Sequence, residues 1–579
     1  MERDQLLQLK QEYERHKMNR ATVEPTWDQI EKFIDPLGNG RISQAPESES
    51  DILWRRIDVW DFSAIEGSEK LTAIIHGTET NPAVQWFTGE FRDPELQKDK
   101  IAREWLEDCL GRTYQALQDS DFNTEIATSF GDLVNYGNSF IIEEAKSKGP
   151  KWEGIDFTCV PIREGYFERD SYGNIKRFWR RLSWTARQII DRCKGQNIPE
   201  KIAEEARKPE GGTDTHEVVF CVFPRDVHGE PYDEKGEPRV LAPELRPIGS
   251  VYFLADTGEQ CGNEDGYYEM QSFHAPWKET AGSQWGHGKG GQVLPTVKLL
   301  NALWEVYLGA AELAILPALL VTERGLMSAV DLGPGGMTVV KDIVNSIKAF
   351  ENGAKFEVTW QMISQLQLAI RKAFHEDELH LKDSPAMTAT EAAIRFENMN
   401  RVMGSVLSRV QSFQLIPIIK LTMSILRREG RLKPAPEIVR RKSGEVNIVF
   451  LGPLSRAQRT DEVSAIERAF SFVAQARKLG FEEAADVFDA AAAAREVMKR
   501  LGVPASCMKS EADAQLAQKQ RKAQASAAAQ AELAKRAGEA AEQAGKARLA
   551  MAQASEAGGA PAAPMPAQPP PMLTPTLEG

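Results

Sequence analysis

The sequence predicts an α+β chain, mainly helical, and three observations carry that prediction. Strand-type runs rich in β-branched and aromatic residues cluster between about 121 and 275. Apolar residues at helical spacing dominate the stretches on either side. From 511 onward the composition turns to Ala, Gln, Glu and Lys, a helix-forming mixture without strand signals.

In chain order, Trp27, Ile30, Phe33 and Ile34 sit at helical spacing and make the first 35 residues helical, up to the polar loop GNGRISQAPESESD. Residues 62–80 and 97–119 read as helices around the proline-containing NPAVQWFTGEFRDPEL. In the strand-rich stretch, SFIIEEA, IDFTCVPI, HEVVFCVFP and SVYFLAD alternate with turn signals at Tyr172-Gly173-Asn174 and 228–236. A helical insertion at 185–208 interrupts them. A helix over about 294–316 ends at Pro317. A compact segment, 318–358, follows, with the turn LGPGG (Gly333, Gly335, Gly336) between the apolar runs ALLV and MTVV. A second helix, 359–381, carries Ile363, Leu366, Ile370 and Phe374 on one face. Two helices flanking a small insertion suggest a protruding hairpin, but periodicity alone favours an ordinary helical pair within one core.

The loop LKDSPAM leads into a long helix, with Thr388 and Glu391 at capping-box spacing. Met399, Met403, Val406, Val410 and Phe413 form its stripe, Pro417 predicts a kink, and Gly430 and Pro434 predict its end. Residues 446–451 read as a strand and 457–502 as two or three helices. In 511–553, Ala527, Ala531, Ala534, Gly538, Ala541 and Gly545 repeat as a heptad-like seam of small residues. Residues 554–579 read as a disordered Pro-rich tail.

A length of 579 residues implies two to four packed regions. The net charge of −13 argues against a protein that grips nucleic acid through a basic surface. None of the six cysteines lies in a C-x-x-C pair, so no zinc knuckle or dithiol site is legible. The charged start, MERDQLLQLKQEYERHK, lacks a signal-peptide pattern. Residues 299–321 are apolar enough to suggest a membrane span, but Glu305 and Glu312 inside them favour a helix packed among protein neighbours.

Gly286, Gly288 and Gly291 match G-x-G-x-x-G. The ETAGSQW before them is no strand, so a tight turn feeding a helix is expected instead of a dinucleotide site. The HEDELH segment places His380 five residues after His375, about 140° around a helix, so the two cannot share a metal as in H-E-x-x-H. No G-x-S-x-G elbow occurs. The expectation is therefore no catalytic residue, no cofactor and no metal.

Four stretches carry a family resemblance: Trp27 to Pro36 with IIHGTETNPAVQWF; DFNTEIATSFGDLVNYGNSFIIEE; FHAPWKETAGSQWGHGKGGQVLPTVKLLNALWE; and MTATEAAIRFENMNRVMGSVLSRVQSFQLIPIIKLTMSILRREGRL. Over roughly residues 1–510 the chain resembles the portal (head-to-tail connector) proteins of short-tailed bacteriophages. The third stretch is the most specific, with Trp277, Trp285, Gly286, Gly288, Asn301 and Pro317 as its motif residues. His287 stands where the family pattern has arginine.

The resemblance implies a dodecameric ring at a capsid vertex, a channel through which DNA is packaged and ejected, and no enzyme activity. It divides the chain into a wing (1–290, and 391–445 with the kinked helix), stem helices (291–317 and 359–381) and a clip (318–358). It further implies a channel loop (382–390, with Leu381, Lys382, Asp383, Ser384 and Pro385), a helical crown (446–510) and a candidate barrel helix (511–553). Implied partners are further copies of the chain, terminase, tail adaptors, major capsid and scaffolding proteins, and double-stranded DNA without sequence specificity. The implied location is the virion, after synthesis in the host cytoplasm. The alternatives are another virion or tail-adaptor structural protein, or an enzyme with an unrecognised site.

Overall fold

The structure, a computed structural model, describes residues 3–36, 59–148, 151–208, 214–233, 238–280, 282–315, 319–321, 347–349, 356–376, 403–442, 444–451, 463–473, 475, 493–494, 497–498 and 511–556. The chain divides into two units, Met1–Cys507 and Met508–Gly579.

Helices α1 (Arg3–Arg20), α2 (Glu24–Phe33) and α3 (Ser63–Glu79) precede the short strand β1 (Phe87–Phe91) and helix α4 (Lys100–Gln118). Asp99 starts α4 by accepting the Ala102 N–H at 2.8 Å, which satisfies one of the helix's free donors. Helix α5 (Phe122–Tyr136) falls inside the stretch read as strand-rich, and it ends on Gly137 at φ +81°. Eight strands and two helices follow: β2 (Asn138–Lys148), β3 (Lys151–Cys159), β4 (Gly165–Arg169), β5 (Ile175–Thr185), α6 (Ala186–Arg192), α7 (Glu200–Arg207), β6 (Thr215–Pro224), β7 (Ile248–Leu254), β8 (Gln260–Tyr267) and β9 (Ser272–Pro276).

Strands β4 to β8 form an antiparallel meander in chain order, and β3, β2 and β9 a second, three-stranded sheet. Successive side chains alternate across the meander. Tyr166, Trp179, Val219, Val251 and Phe253 pack under Leu6, Leu9 and Tyr13 of α1. On the opposite face Val218, Leu254 and Cys261 meet Ile189 of α6 and Ile202 of α7. The main core joins α2 to α5 with the three-stranded sheet and the pair that β1 forms with β12 (Val446–Phe450). The strand expected at 446–451 thus pairs with a strand near the N-terminal end of the chain.

Helix α8 (Lys289–Ile315) and helix α9 (Phe356–Ala373) lie side by side. Between them in sequence, β10 (Leu319–Val321) and β11 (Ile347–Ala349) form an antiparallel pair. Helix α9 was expected to reach 381 but stops at Ala373, where Phe374 is buried and His375 takes φ +60°. A helix over 403–410 continues through a π-helical turn, Gln411–Leu415, into α10 (Ile416–Arg428). A kink was expected at Pro417; the structure shows a π-helical turn just before it, where the proline offers no N–H to the carbonyl four residues earlier and a wider turn accommodates the loss. Gly430, at φ +66°, ends the helix: Arg431 N–H bonds the Leu426 carbonyl at 2.8 Å and Gly430 N–H the Arg427 carbonyl at 3.1 Å. Among the described residues of the second unit, one helix, α11 (Glu511–Glu556), matches the helical expectation, and every residue of it whose burial is described is exposed.

Candidate functional site

The glycine turn before α8 is locked against the end of α5, backbone on backbone. A β-carbon on Gly137 would stand 2.2 Å from Gly288 N, one on Gly286 2.3 Å from the Gly137 carbonyl oxygen, and one on Gly290 2.4 Å from the Asn135 carbonyl oxygen. No other residue type fits such an approach. Hydrogen bonds close it. Trp277 N–H donates to the Gly137 carbonyl at 3.0 Å. The Asn138 amide accepts from Gly286 N–H at 2.8 Å and donates to the Gly286 carbonyl at 3.1 Å. The turn expected from GHGKGG is therefore present, and its role is to fix where α8 begins.

A buried histidine braces the same place. The Asn138 oxygen also lies 3.1 Å from His274 Nε2, and Arg169 Nη2 lies 2.9 Å from His274 Nδ1. An oxygen acceptor on one side and an arginine donor on the other select the neutral Nε2–H tautomer. Burial, and then the Arg169 charge, hold the imidazole well below its ordinary pKa. The ring lies 4.3 Å from Phe167, and Trp285 packs edge-on against Phe167 at 5.3 Å and Trp27 at 5.1 Å.

From this anchor α8 runs outward. Its buried residues are Gly290, Val293, Leu294, Val297 and Leu300, and none from Asn301 to Ile315 is buried. Asn301 accepts the Trp60 N–H at 2.8 Å. The neighbouring Asp61 accepts from Trp304 Nε1 at 3.3 Å and from Gln367 Nε2 at 2.6 Å, tying α8 to α9. Beyond that tie Val306, Leu308, Leu313 and Ile315 of α8 and Val358, Trp360 and Met362 of α9 are exposed, and Leu368 is exposed beside it. So many large apolar side chains exposed on different sides of one helix pair are more than a lone chain's surface normally carries. Among the described residues no helix is long and apolar enough to cross a membrane.

The π turn of the long helix sits on buried polar groups. Gln414 Nε2 donates to the hydroxyls of Ser129 and Ser139 at 2.9 and 3.0 Å, and Gln411 Nε2 donates to Glu79 at 2.8 Å. Burial pushes the Glu79 carboxyl up to about 7. Glu143, fully enclosed and accepting from the Thr422 hydroxyl at 2.7 Å, is held well above the ordinary carboxylate range by burial. These groups tie the long helix to α3, to α5 and, through Ser139 and Glu143, to strand β2. Among the described residues no group of three or more His, Cys, Asp or Glu side chains is placed to hold a metal.

Of the residues singled out from sequence, Trp277, Trp285, Gly286 and Gly288 come together in this anchor, and Asn301 lies farther along α8. Pro317, the turn glycines Gly333, Gly335 and Gly336, and Leu381, Lys382, Asp383, Ser384 and Pro385 lie outside the described residues. Sequence reasoning missed Gly137, Asn138, His274 and Arg409, whose guanidinium donates to the Trp277 carbonyl at 2.5 Å. The Tyr136-Gly137-Asn138 sequence did carry a signal, a helix-ending glycine just before a strand.

A family model described as bacteriophage head to tail connecting protein matches residues 6–508. The chain is 22% identical over 517 residues to the probable portal protein of Bordetella phage BPP-1, covering 86% of this chain and 88% of that protein. It is 21% identical over 507 residues to the portal protein of Salmonella phage epsilon15, covering 84% and 85%. Among solved structures it is similar to a chain in the neck of an empty GTA particle computed with C6 symmetry. The TM-score is 0.30 at 10% identity, covering 68% of this chain and 85% of that one.

Proposed function

The chain belongs to the bacteriophage head to tail connecting protein family, and from that premise we propose that it is the portal subunit of a virion, a ring-forming channel protein that acts by shape and position. The observation that carries the ring is the set of exposed apolar side chains on α8 and α9. A helix pair with Val306, Leu313, Ile315 and Trp360 in water is costly for a lone chain, and neighbouring copies in a closed ring would cover it.

In this reading α8 and α9 are the stem, anchored by the glycine turn. The segment 318–358 is the clip that meets terminase and then the tail, and 382–390 is the channel loop. The sheets and the kinked helix form the wing, 446–510 the crown, and α11 a barrel helix. Twelve copies surround the DNA, and the ring takes its place at a capsid vertex built with capsid and scaffolding proteins. The acidic chain suits a duplex that must slide: like charge between wall and phosphates keeps contacts weak. Electron micrographs of the purified protein should show rings with a central hole. A monodisperse 64.5 kDa species at every protein concentration and salt would overturn the proposal.

A further inference from the structure

A groove of about 650 Å³ opens beside the glycine turn, between α2, the start of α8, the end of α9 and the 403–410 helix. Lys278, Lys289 and Arg409 line it together with the imidazoles of His287 and His375, and no aspartate or glutamate is among the described residues that do. That is unusual for this chain. Its net charge is −13, and several of its arginines elsewhere sit on carboxylates, as Arg163 on Asp28 at 2.7 Å, Arg225 on Glu264 at 2.6 Å and Arg428 on Glu269 at 2.7 Å. Neither Lys278 nor Arg409 has a partner carboxylate among the described residues. Arg409 is held at the wall by its bond to the Trp277 carbonyl, so its charge is presented without the entropy cost of ordering a free side chain. Gly288, Lys289, Gly291 and Gln292, at the start of a 27-residue helix, line the same space and add the positive end of its dipole.

We propose that this groove receives the phosphodiester backbone of double-stranded DNA, as a contact without base recognition. The proposal rests on the portal reading, which brings DNA to the ring. Cations that meet phosphates position a duplex but do not read it. A few such contacts on an otherwise acidic subunit would hold the duplex loosely at fixed points while leaving it free to move.

The test uses purified full-length rings and a fluorescent 30-base-pair duplex, with binding measured across a salt series. Each phosphate contact contributes about 0.9 to the magnitude of the slope of log K against log salt. Lys278→Gln with Arg409→Gln should lower that magnitude by about 2 or more, and should do so equally for duplexes of unrelated sequence, while Arg409→Lys retains most of it. If Arg409→Gln rings fail to form, Lys278→Glu alone, at an exposed position, must still weaken binding and lower the slope by about 1. Intact variant rings with an unchanged slope overturn the assignment. Inorganic phosphate that displaces the duplex more strongly than chloride at equal ionic strength, and loses this advantage in the double variant, would assign the groove to a small phosphate and also overturn it. Wild-type protein that forms no rings sinks the portal reading itself, an outcome separate from these.

Discussion

Replacing Gly137 with alanine puts the backbone interlock to a quantitative test. Gly195→Ala serves as the control, because Gly195 has φ +69° and a β-carbon there would meet nothing within 4 Å, whereas Gly137 at φ +81° would place that carbon 2.2 Å from Gly288 N. Either substitution forces alanine into the left-handed region, at about 1–2 kcal/mol. Only Gly137→Ala must also push the glycine turn away. The push strains three hydrogen bonds: Trp277 N–H to the Gly137 carbonyl, and the two between Asn138 and Gly286. At about 1 kcal/mol each, the Gly137→Ala loss should reach about 4–5 kcal/mol against about 1–2 for the control. Urea unfolding followed by tryptophan fluorescence suits the measurement, since Trp277 and Trp285 sit at the interlock. Losses for the two variants within about 1 kcal/mol of each other would refute the argument that the close approach, and not the backbone angle, demands glycine.

Val306→Glu, at a position 66% exposed in the subunit, should leave the fold intact by circular dichroism and abolish rings in sedimentation velocity; rings in normal yield would remove α8 from the interface. Glu79 has a folded-state pKa raised from 4.5 to about 7 by burial, so its contribution is fully present below about 4.5 and is lost as pH rises through 7. Glu79→Gln should therefore gain stability at pH 8, by up to about 3 kcal/mol, and flatten the pH profile between about 4.5 and 7; equal profiles for variant and wild type would contradict this. His274 works in the opposite sense: its depressed pKa means stability present above about 6.5 and lost on acidification below it, a loss that His274→Gln should reduce in urea titrations at pH 5 and 7. Truncation after Ser510 should preserve rings in negative-stain images, because the exposed apolar side chains of α8 and α9 lie upstream.

The helices outside the sheets were legible because their buried faces are apolar and periodic, as with Leu71 and Ile75 in α3 or Leu106, Leu110 and Leu117 in α4. Helix α5 was not, and its burial explains why. Its buried Phe122, Ile126, Phe130 and Leu133 do keep helical spacing, but Ser129, Asp132 and Asn135 share the inner face and the strand-type runs from SFIIEEA onward follow directly, so the period was absorbed into the strand-rich reading. Strand β8, QCGNEDGY, lies at a sheet edge with a largely polar sequence and gave no alternation to read. The glycine turn was placed correctly, yet its partner Gly137 lies roughly 150 residues earlier, and a one-chain pattern carries no sign of who meets whom. Of the groove, only the anchor residues stood out. Arg409 reads as one more polar position on a long helix, until the fold brings it to Trp277.

The pairing of β1 with β12 sets a timetable for synthesis. Phe91 and its partner Val446 are separated by roughly 350 residues, which a ribosome translating about 5–20 residues per second needs about 20–70 s to produce. For that interval β1, with the two phenylalanines that end up buried at its ends, has no strand to pair with. A nascent chain cut short before 446 leaves that edge open for good, and unpaired strand edges invite aggregation. Completion of the sheet is thus tied to completion of nearly all of the first unit, and a truncated product carries an unclosed edge into any ring it joins.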